Sequence, residues 1–434
     1  MKQQYDSYKP SGIDWIGEIP SHWKLTPIKH LKSAEQFAFV DGPFGSNLKS
    51  EHYVSDGDVY VIESGFITTG KFIYKDFKTI TKDHFETIKR SACKGGDIII
   101  SKIGYNYGMV GELPNLDKPS VVSGNSLKIT LNNSKVLNGV FVNLMNLAKN
   151  RNAYIGLVQE TAQPALSLGG LNNFVLPIPP LAEQEAIAAW LDEKCGEIDA
   201  AIAKVDREIE LIDELKQSEI SRVVTRGLNP DAPLRPSGID WIGNIPEHWV
   251  IKPLKIHSNI IMGQSPSGND IKDDGYALFM QGNAEFGDLY PNPTTYCDVC
   301  IKHSRIGDIL MSVRAPVGEL NISDKVYGIG RGLCSIQPYN LNRQFLWYYL
   351  LKSKIDFGYF SNGSTFSAIT VQTLRVFPIT IPSDSEQQAI ADYLDKKCAE
   401  IDGLKAKLTK KRETLTELRQ SIISEVVTGK RKVI

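Results

Sequence analysis

Glu183-Gln184-Glu185-Ala186-Ile187 opens a stretch that runs to Thr225 with one glycine and no proline. Within it Leu191, Ile198, Val205 and Ile212 fall seven residues apart. Cys195, Ile202 and Ile209 form a second, interleaved series until Lys216 breaks it. Apolar residues that recur in alternating steps of three and four make a coiled-coil seam rather than the broad stripe of a globular-domain helix. A helix of this length extends on the order of 65 Å and cannot bury its seam alone.

The partner lies in the same chain. Glu386-Gln387-Gln388-Ala389-Ile390 opens a second run, and Leu394, Ile401, Leu408, Leu415 and Ile422 repeat the seam. The two runs agree position by position at an offset of 203 residues: Cys195 with Cys398, Ile198 with Ile401, Asp199 with Asp402, Leu215 with Leu418, Val224 with Val427. This register marks an internal duplication.

A second repeat flanks the first. The segment Lys9-Pro10-Ser11-Gly12-Ile13-Asp14-Trp15-Ile16-Gly17-Glu18-Ile19-Pro20-Ser21-His22-Trp23 returns at Arg235–Trp249, offset by 226 residues. Its prolines, glycines and paired tryptophans predict an irregular segment pinned by aromatics. His22 and His248, each beside a tryptophan, read as packing residues rather than catalysts.

Between the repeats the pattern turns to short strands. Val59-Tyr60-Val61-Ile62, Asp97-Ile98-Ile99-Ile100 and Ser126-Leu127-Lys128-Ile129 are rich in β-branched residues and bounded by glycine. One helix is predicted over 139–151, and Leu176-Pro177-Ile178-Pro179-Pro180 closes the domain. Val250 to Pro382 repeats the plan loosely. Gly307-Asp308-Ile309-Leu310-Met311-Ser312 echoes Gly96-Asp97-Ile98-Ile99-Ile100-Ser101, but Val313-Arg314-Ala315-Pro316-Val317 stands against Lys102-Ile103-Gly104-Tyr105-Asn106-Tyr107. The predicted layout is a repeat segment at 1–23, a globular domain at 24–180 and a spacer helix at 181–227. A linking repeat segment at 228–249, a second domain at 250–382 and a second helix with a basic tail at 383–434 follow. The fold class is α+β: two mixed α/β domains separated by two long antiparallel coiled-coil helices, with pseudo-two-fold internal duplication. One scaffold bearing two divergent surfaces suits a device that reads two different things.

Composition bounds the rest. The 434 residues allow two to four domains, and 42% hydrophobic with 23% charged residues is ordinary for a soluble globular chain. The first residues lack the apolar core of a signal peptide and no run reaches membrane-spanning length, so a cytoplasmic protein without membrane association is expected. Six cysteines in so long a chain predict free thiols. A net charge of −1 argues against coating nucleic acid by bulk positive charge.

Catalytic and metal motifs are fragmentary. Gly65-Phe66-Ile67-Thr68-Thr69-Gly70-Lys71 approaches a phosphate loop. However, Phe72 occupies the magnesium-binding position, and strand-like Phe72-Ile73-Tyr74 follows, which predicts a hairpin turn. Cys297, Cys300 and His303 offer three zinc ligands where four are the structural norm. No dinucleotide or adenine-methyltransferase motif is present, and an enzyme acting alone is a poor fit.

The doubled Pro-Ser-Gly-Ile-Asp-Trp-Ile-Gly segment, Asp41-Gly42-Pro43-Phe44-Gly45-Ser46, and the Glu-Gln-x-Ala-Ile helix starts resemble the specificity subunit of type I restriction-modification systems. The resemblance spans essentially the whole chain. It implies two target-recognition domains, each reading half of a bipartite double-stranded DNA target. It also implies paired helices that dock two methyltransferase subunits and, through them, the restriction subunits. The chain itself would carry no active site and bind no cofactor; S-adenosylmethionine, ATP and Mg would serve the partners. Base readout needs Arg, Lys, Asn and Gln at exposed loop tips. The candidates are Asn47, Lys49, Lys102, Tyr105, Asn106 and Tyr107 in the first domain. In the second they are Gln264, Ser265, Lys272, Gln281, Asn283, Arg314 and Arg331. Arg314 is expected to read guanine, while Gln163, before Pro164, is a weaker candidate. The rival reading is a coiled-coil scaffold presenting two protein- or ligand-binding domains. Antiparallel helices would further place Trp241 near Val223 and Val224, and Trp15 near Val426 and Val427.

Overall fold

The computed structural model describes residues 3–68, 70–159, 164–354 and 368–433. The chain divides into two compact units, one of residues 1–204 with 412–434 and one of residues 205–411. The seam stretches form two long helices, Leu181–Arg226 and Asp384–Val427. Within the second unit Lys405 reaches Asp213 at 2.7 Å and Lys216 reaches Asp402 at 2.6 Å. Three residues up one helix thus correspond to three residues down the other, so the pair is antiparallel there. In the first unit the Arg419 Nε donates to Asp199 at 2.7 Å, and Ile187 and Leu191 share a core with Val426 and Val427. That order is antiparallel as well. The seam is buried at Leu191, Val205, Ile212, Leu394, Ile401 and Ile422, and half-buried at Ile198, Leu408 and Leu415.

Each unit carries a four-stranded antiparallel sheet and a second sheet, of four strands in the first unit and three in the second. In the first, a four-stranded antiparallel sheet runs in the order Phe39–Asp41, Ser126–Ile129, Ile98–Ser101, Val110–Glu112. In the second the order is Ser258–Met262, Leu333–Pro338, Ile309–Ser312, Leu320–Ile322. The second sheet, with one parallel pairing, is built on Val59–Ile62 and Ser120–Val122 in one unit and on Leu278–Met280 and Gly328–Ile329 in the other. The glycine–aspartate landmarks have a structural task. Asp97 is fully buried, with Thr130 Oγ1 donating to it and Lys128 Nζ at 3.5 Å; Asp308 accepts from Ser335, Gln337 and the Arg305 N–H. A helix over Asn138–Asn150 lies within a residue of its predicted span, and Arg343–Ser353 is its counterpart.

Three expectations are corrected. The Pro-Ser-Gly segment is a small antiparallel strand pair, Tyr8–Pro10 with Glu18–Pro20, and again Leu234–Pro236 with Asn244–Pro246. Gly12 and Gly17, at φ +69° and +74°, turn the loop between the strands, which is why proline-bordered runs of three residues pair at all. Phe72-Ile73-Tyr74 is not the returning strand; Lys78–Ile80 is, pairing antiparallel with Val59–Ile62. Ser64–Ile67 is instead a short 3-10 turn whose Phe66 stacks on Phe72 and Phe77, at ring distances of 5.4 and 5.0 Å. Nor do His22 and His248 pack in a core: their side chains are 46% and 55% exposed, and each binds a carboxylate described below. All six cysteines are free thiols.

Candidate nucleic-acid interface

The helix-start motif Glu-Gln-x-Ala-Ile ties each globular domain to its long helix. Gln184 is fully buried; its Nε2 donates to the carbonyls of Lys135 and Pro179, and its Oε1 accepts from the Leu137 N–H. Gln387 repeats this with the Pro382 carbonyl and the Asn342 N–H. The preceding glutamate is held from the other side. Trp23 Nε1 donates to Glu183 at 2.9 Å, with His22 Nε2 on the second carboxylate oxygen. Trp249 Nε1 and His248 Nε2 approach Glu386 at 3.3 and 2.9 Å.

Burial raises the pKa of Glu386. Hydrogen bonds from His248, from the Ser383 hydroxyl and N–H, and from Trp249 outweigh it and hold the carboxyl at about 2. A carboxyl depressed on folding adds stability above its unfolded value and loses it as pH falls through the folded one. The gap in unfolding midpoint between wild type and Glu386→Gln is therefore expected to be full above pH 4.5 and to close between 4.5 and about 2. Denaturant unfolding across that range checks this; a gap that does not change with pH would contradict it.

In the second unit four loops converge at one end of the large sheet. Gln264 N–H donates to the Ile329 carbonyl at 2.9 Å, Gly330 N–H to Met280 at 2.7 Å, and Val313 N–H to Gly332 at 2.9 Å. The Ser265 hydroxyl accepts from Gln281 Nε2 at 2.6 Å and from the Arg331 N–H at 3.2 Å. A Cβ on Gly263 would strike the Gly330 carbonyl, so only glycine lets these loops close. Gln264, Ser265, Gln281, Asn283, Arg314 and Arg331 thus share one loop cluster; Gln264, Arg314 and Arg331 are exposed, the others half-buried. Lys272 is not tied into it by these bonds: its backbone pairs with Tyr296 at the edge of the smaller sheet.

The first unit builds the same meeting of loops. A Cβ on Gly42 would strike the Ser123 carbonyl, and Lys102 N–H donates to Asn125 at 2.9 Å. The side chains differ. Lys102 lies 3.5 Å from Asp41 and over the Phe44 ring at 5.4 Å, with 17% of its side chain exposed. Asp41 also takes Arg90 at 2.7 Å. Tyr105 projects with 93% of its surface exposed, and Asn106 and Tyr107 are half-buried beside it. Lys149 sits 3.7 Å from the Tyr107 ring centroid, and burial lowers its pKa. Asn47 and Lys49 are exposed on a separate turn, where the Asn47 carbonyl accepts from His84 Nε2 at 2.9 Å and Lys49 lies 3.6 Å from Glu51. Gln163 lies outside the described residues. Phe44, Arg90 and Lys149 were missed by sequence reasoning because their partners lie far along the chain. Only the neighbourhood of Asp41-Gly42-Pro43 gave a signal, and it pointed to Phe44.

Comparison with known proteins agrees with the duplicated fold. The family model described as the type I restriction modification DNA specificity domain matches twice, over residues 44–210 and 246–411. A protein of Methanocaldococcus jannaschii, provisionally named as the type I restriction enzyme MjaX specificity subunit, is 29% identical over 96% of both chains. The type I restriction enzyme MjaVIII specificity subunit of the same organism is 23% identical over 96% of this chain and 94% of its own. A chain from a solved structure concerned with complex assembly and conformational transition of the type I R-M system aligns with a TM-score of 0.71. It is 24% identical and covers 94% of this chain and 98% of that one, a likeness of fold.

Proposed function

This chain belongs to the family of type I restriction-modification DNA specificity domains, and we propose on that premise that each of its globular domains reads one half of a bipartite double-stranded DNA target. It is the sequence-recognition subunit of a type I complex, assembling with methyltransferase and restriction subunits that hold the catalytic activities. The observation that carries the two-part reading is the double family match laid over duplicated sheets whose converging loops bear different side chains.

The paired helices set the separation of the half-sites and dock two methyltransferase subunits. Support for two identical docking events comes from the duplication itself: Leu215 and Leu418 occupy equivalent helix positions and are 54% and 47% exposed. Apolar side chains left open at matching positions suit two copies of one partner. S-adenosylmethionine, ATP and Mg act on those partners, and this chain binds none of them. Among the described residues no helix is long and apolar enough to cross a membrane, and the complex works on DNA in the cytoplasm.

Filter binding tests the reading. Methyltransferase subunits purified with this chain are expected to retain duplexes carrying the target in preference to scrambled duplexes, and without it to lose that preference. Equal retention of both duplexes with the chain present would refute DNA readout and return the molecule to a scaffold for other ligands.

A further inference from the structure

The two recognition ends are built alike and part company just past the last bonded pair of the large sheet. In the second domain Ser312 stands opposite Leu333, and the Val313 N–H continues the ladder to the Gly332 carbonyl at 2.9 Å. The ladder stops there: Arg314 bridges to Ala368, and Arg331 lies in the turn that the Leu333 N–H closes onto the Gly330 carbonyl, so each arginine stands next to the last bonded pair. Both are exposed, and among the described residues neither guanidinium has a hydrogen bond or ion pair. The fold braces the backbone of one of them, since the Ser265 hydroxyl, itself held by Gln281, takes the Arg331 N–H.

Among the described residues the first domain has no arginine at the matching positions. Ser101 stands opposite Ser126 and the Lys102 N–H donates to Asn125; the next residue, Ile103, bridges to Ala165 as Arg314 does to Ala368. The nearest cation, Lys102, is already engaged by Asp41 and Phe44. What projects instead is aromatic: Tyr105 at 93% and Phe44 at 62% exposure.

We propose that Arg314 and Arg331 form a paired guanidinium site that reads guanine in the second half-site. The first domain reads its half without an arginine fork. The proposal rests on the DNA-recognition role above and deepens it. In the major groove guanine alone presents two acceptors, N7 and O6, on one base edge, which is the pattern a guanidinium fork matches. An exposed, unpaired and braced arginine is ready for such a contact. Aromatic and apolar side chains instead touch the thymine methyl and base faces, and they gain nothing from guanine N7.

The test uses the full complex on duplexes in which guanine is replaced by 7-deazaguanine, one half-site at a time. The target is first mapped from methylated adenines, and the half-sites are assigned by exchanging the first domain. In the second half-site the replacement is expected to weaken binding about 10- to 100-fold at the contacted guanine; in the first it changes little. Arg314→Ala and Arg331→Ala are expected to lose affinity for the natural duplex to a similar degree and to stop responding to the replacement. Arg314→Lys, which keeps the charge and loses the fork, is expected to follow the alanine variant. Both arginines are exposed, so the thermal unfolding of these variants should match wild type. A second half-site without a G·C pair, equal loss from both halves, or variants that weaken every duplex alike would overturn the proposal. A wild-type complex that prefers no sequence at all would instead refute the DNA-recognition role beneath it.

Discussion

Replacing residues 28–174 with the corresponding domain of a family member that has a different target is expected to change one half of the methylated sequence and leave the other half as it was. The neck of the domain is the reason. The chain enters through Lys24–Pro27 and leaves through Val175–Ile178, and these strands pair antiparallel with Pro27 opposite Val175. Both junctions therefore fall side by side on one strand pair that stays with the scaffold. Inside the neck, the large sheet, the second sheet and the helix Asn138–Asn150 travel together. The contacts to preserve are Arg151 to the Trp15 carbonyl and Ser424, Lys71 to Asp199, and the buried Gln184. Gln184 meets the domain through the Lys135 carbonyl and the Leu137 N–H, which any backbone of the same path supplies. The second domain makes the same contacts through its own Gln387 and is untouched. Mapping methylated adenines genome-wide reads the result. A change in both halves, or loss of all methylation from a folded chimera, would show that the halves are not read independently.

The long helices and the duplication were legible because a seven-residue apolar period and side-chain identity at a fixed offset survive in sequence without any knowledge of contacts. Cys195 with Cys398 and Asp199 with Asp402 sufficed. The strands were legible where β-branched residues cluster, as in Ile98–Ser101. The repeat strands Tyr8–Pro10 and Glu18–Pro20 were not, because proline and glycine signal turns and the pairing depends on left-handed glycines between them. At the recognition ends the sequence could nominate loop residues by type but not by state. Lys102 and Arg314 looked equivalent as cations. One is neutralised by Asp41, 61 positions earlier in the chain, and the other has no partner among the described residues. That Arg314 and Arg331 flank the bonded pair Val313 and Gly332 follows from strand pairing, which no local pattern encodes. His22 looked like packing because its partner, Glu183, is separated from it by 161 residues.

Removing residues 425–434 is expected to destabilise the first unit severely and to loosen its N-terminal segment, far from the deletion in sequence. The expectation began with antiparallel helices, which bring the last turn of one beside the first turn of the other. In the structure Val426 and Val427 are fully buried in the cluster that holds Ile19, Trp23 and Leu191, with Trp15 packed against it. Beyond the helix the chain stays engaged. Gly429, at φ +74°, lies so close against Pro20 and Trp23 that a Cβ has no room. Lys430 Nζ donates to the Glu18 carbonyl at 2.7 Å, and Lys432 N–H donates to Gln3 at 2.9 Å. Burying two valines is worth roughly 3–6 kcal/mol, a large part of the 5–15 kcal/mol by which a domain is typically stable. The midpoint of the first unit should therefore fall by about 10 °C or more. Trypsin should also cut after Lys24 under conditions where the intact chain resists. The equivalent pair in the second unit, Val223 and Val224, lies inside the chain and packs with Trp241 beside its cluster. That unit keeps its core and serves as the internal reference. Val427→Ala, a cavity without loss of the tail, is expected to cost about 2 kcal/mol and to leave the lysine contacts in place. If the shortened protein kept both its melting midpoint and its resistance at Lys24, the last turn would not be what holds the N-terminal strands in place.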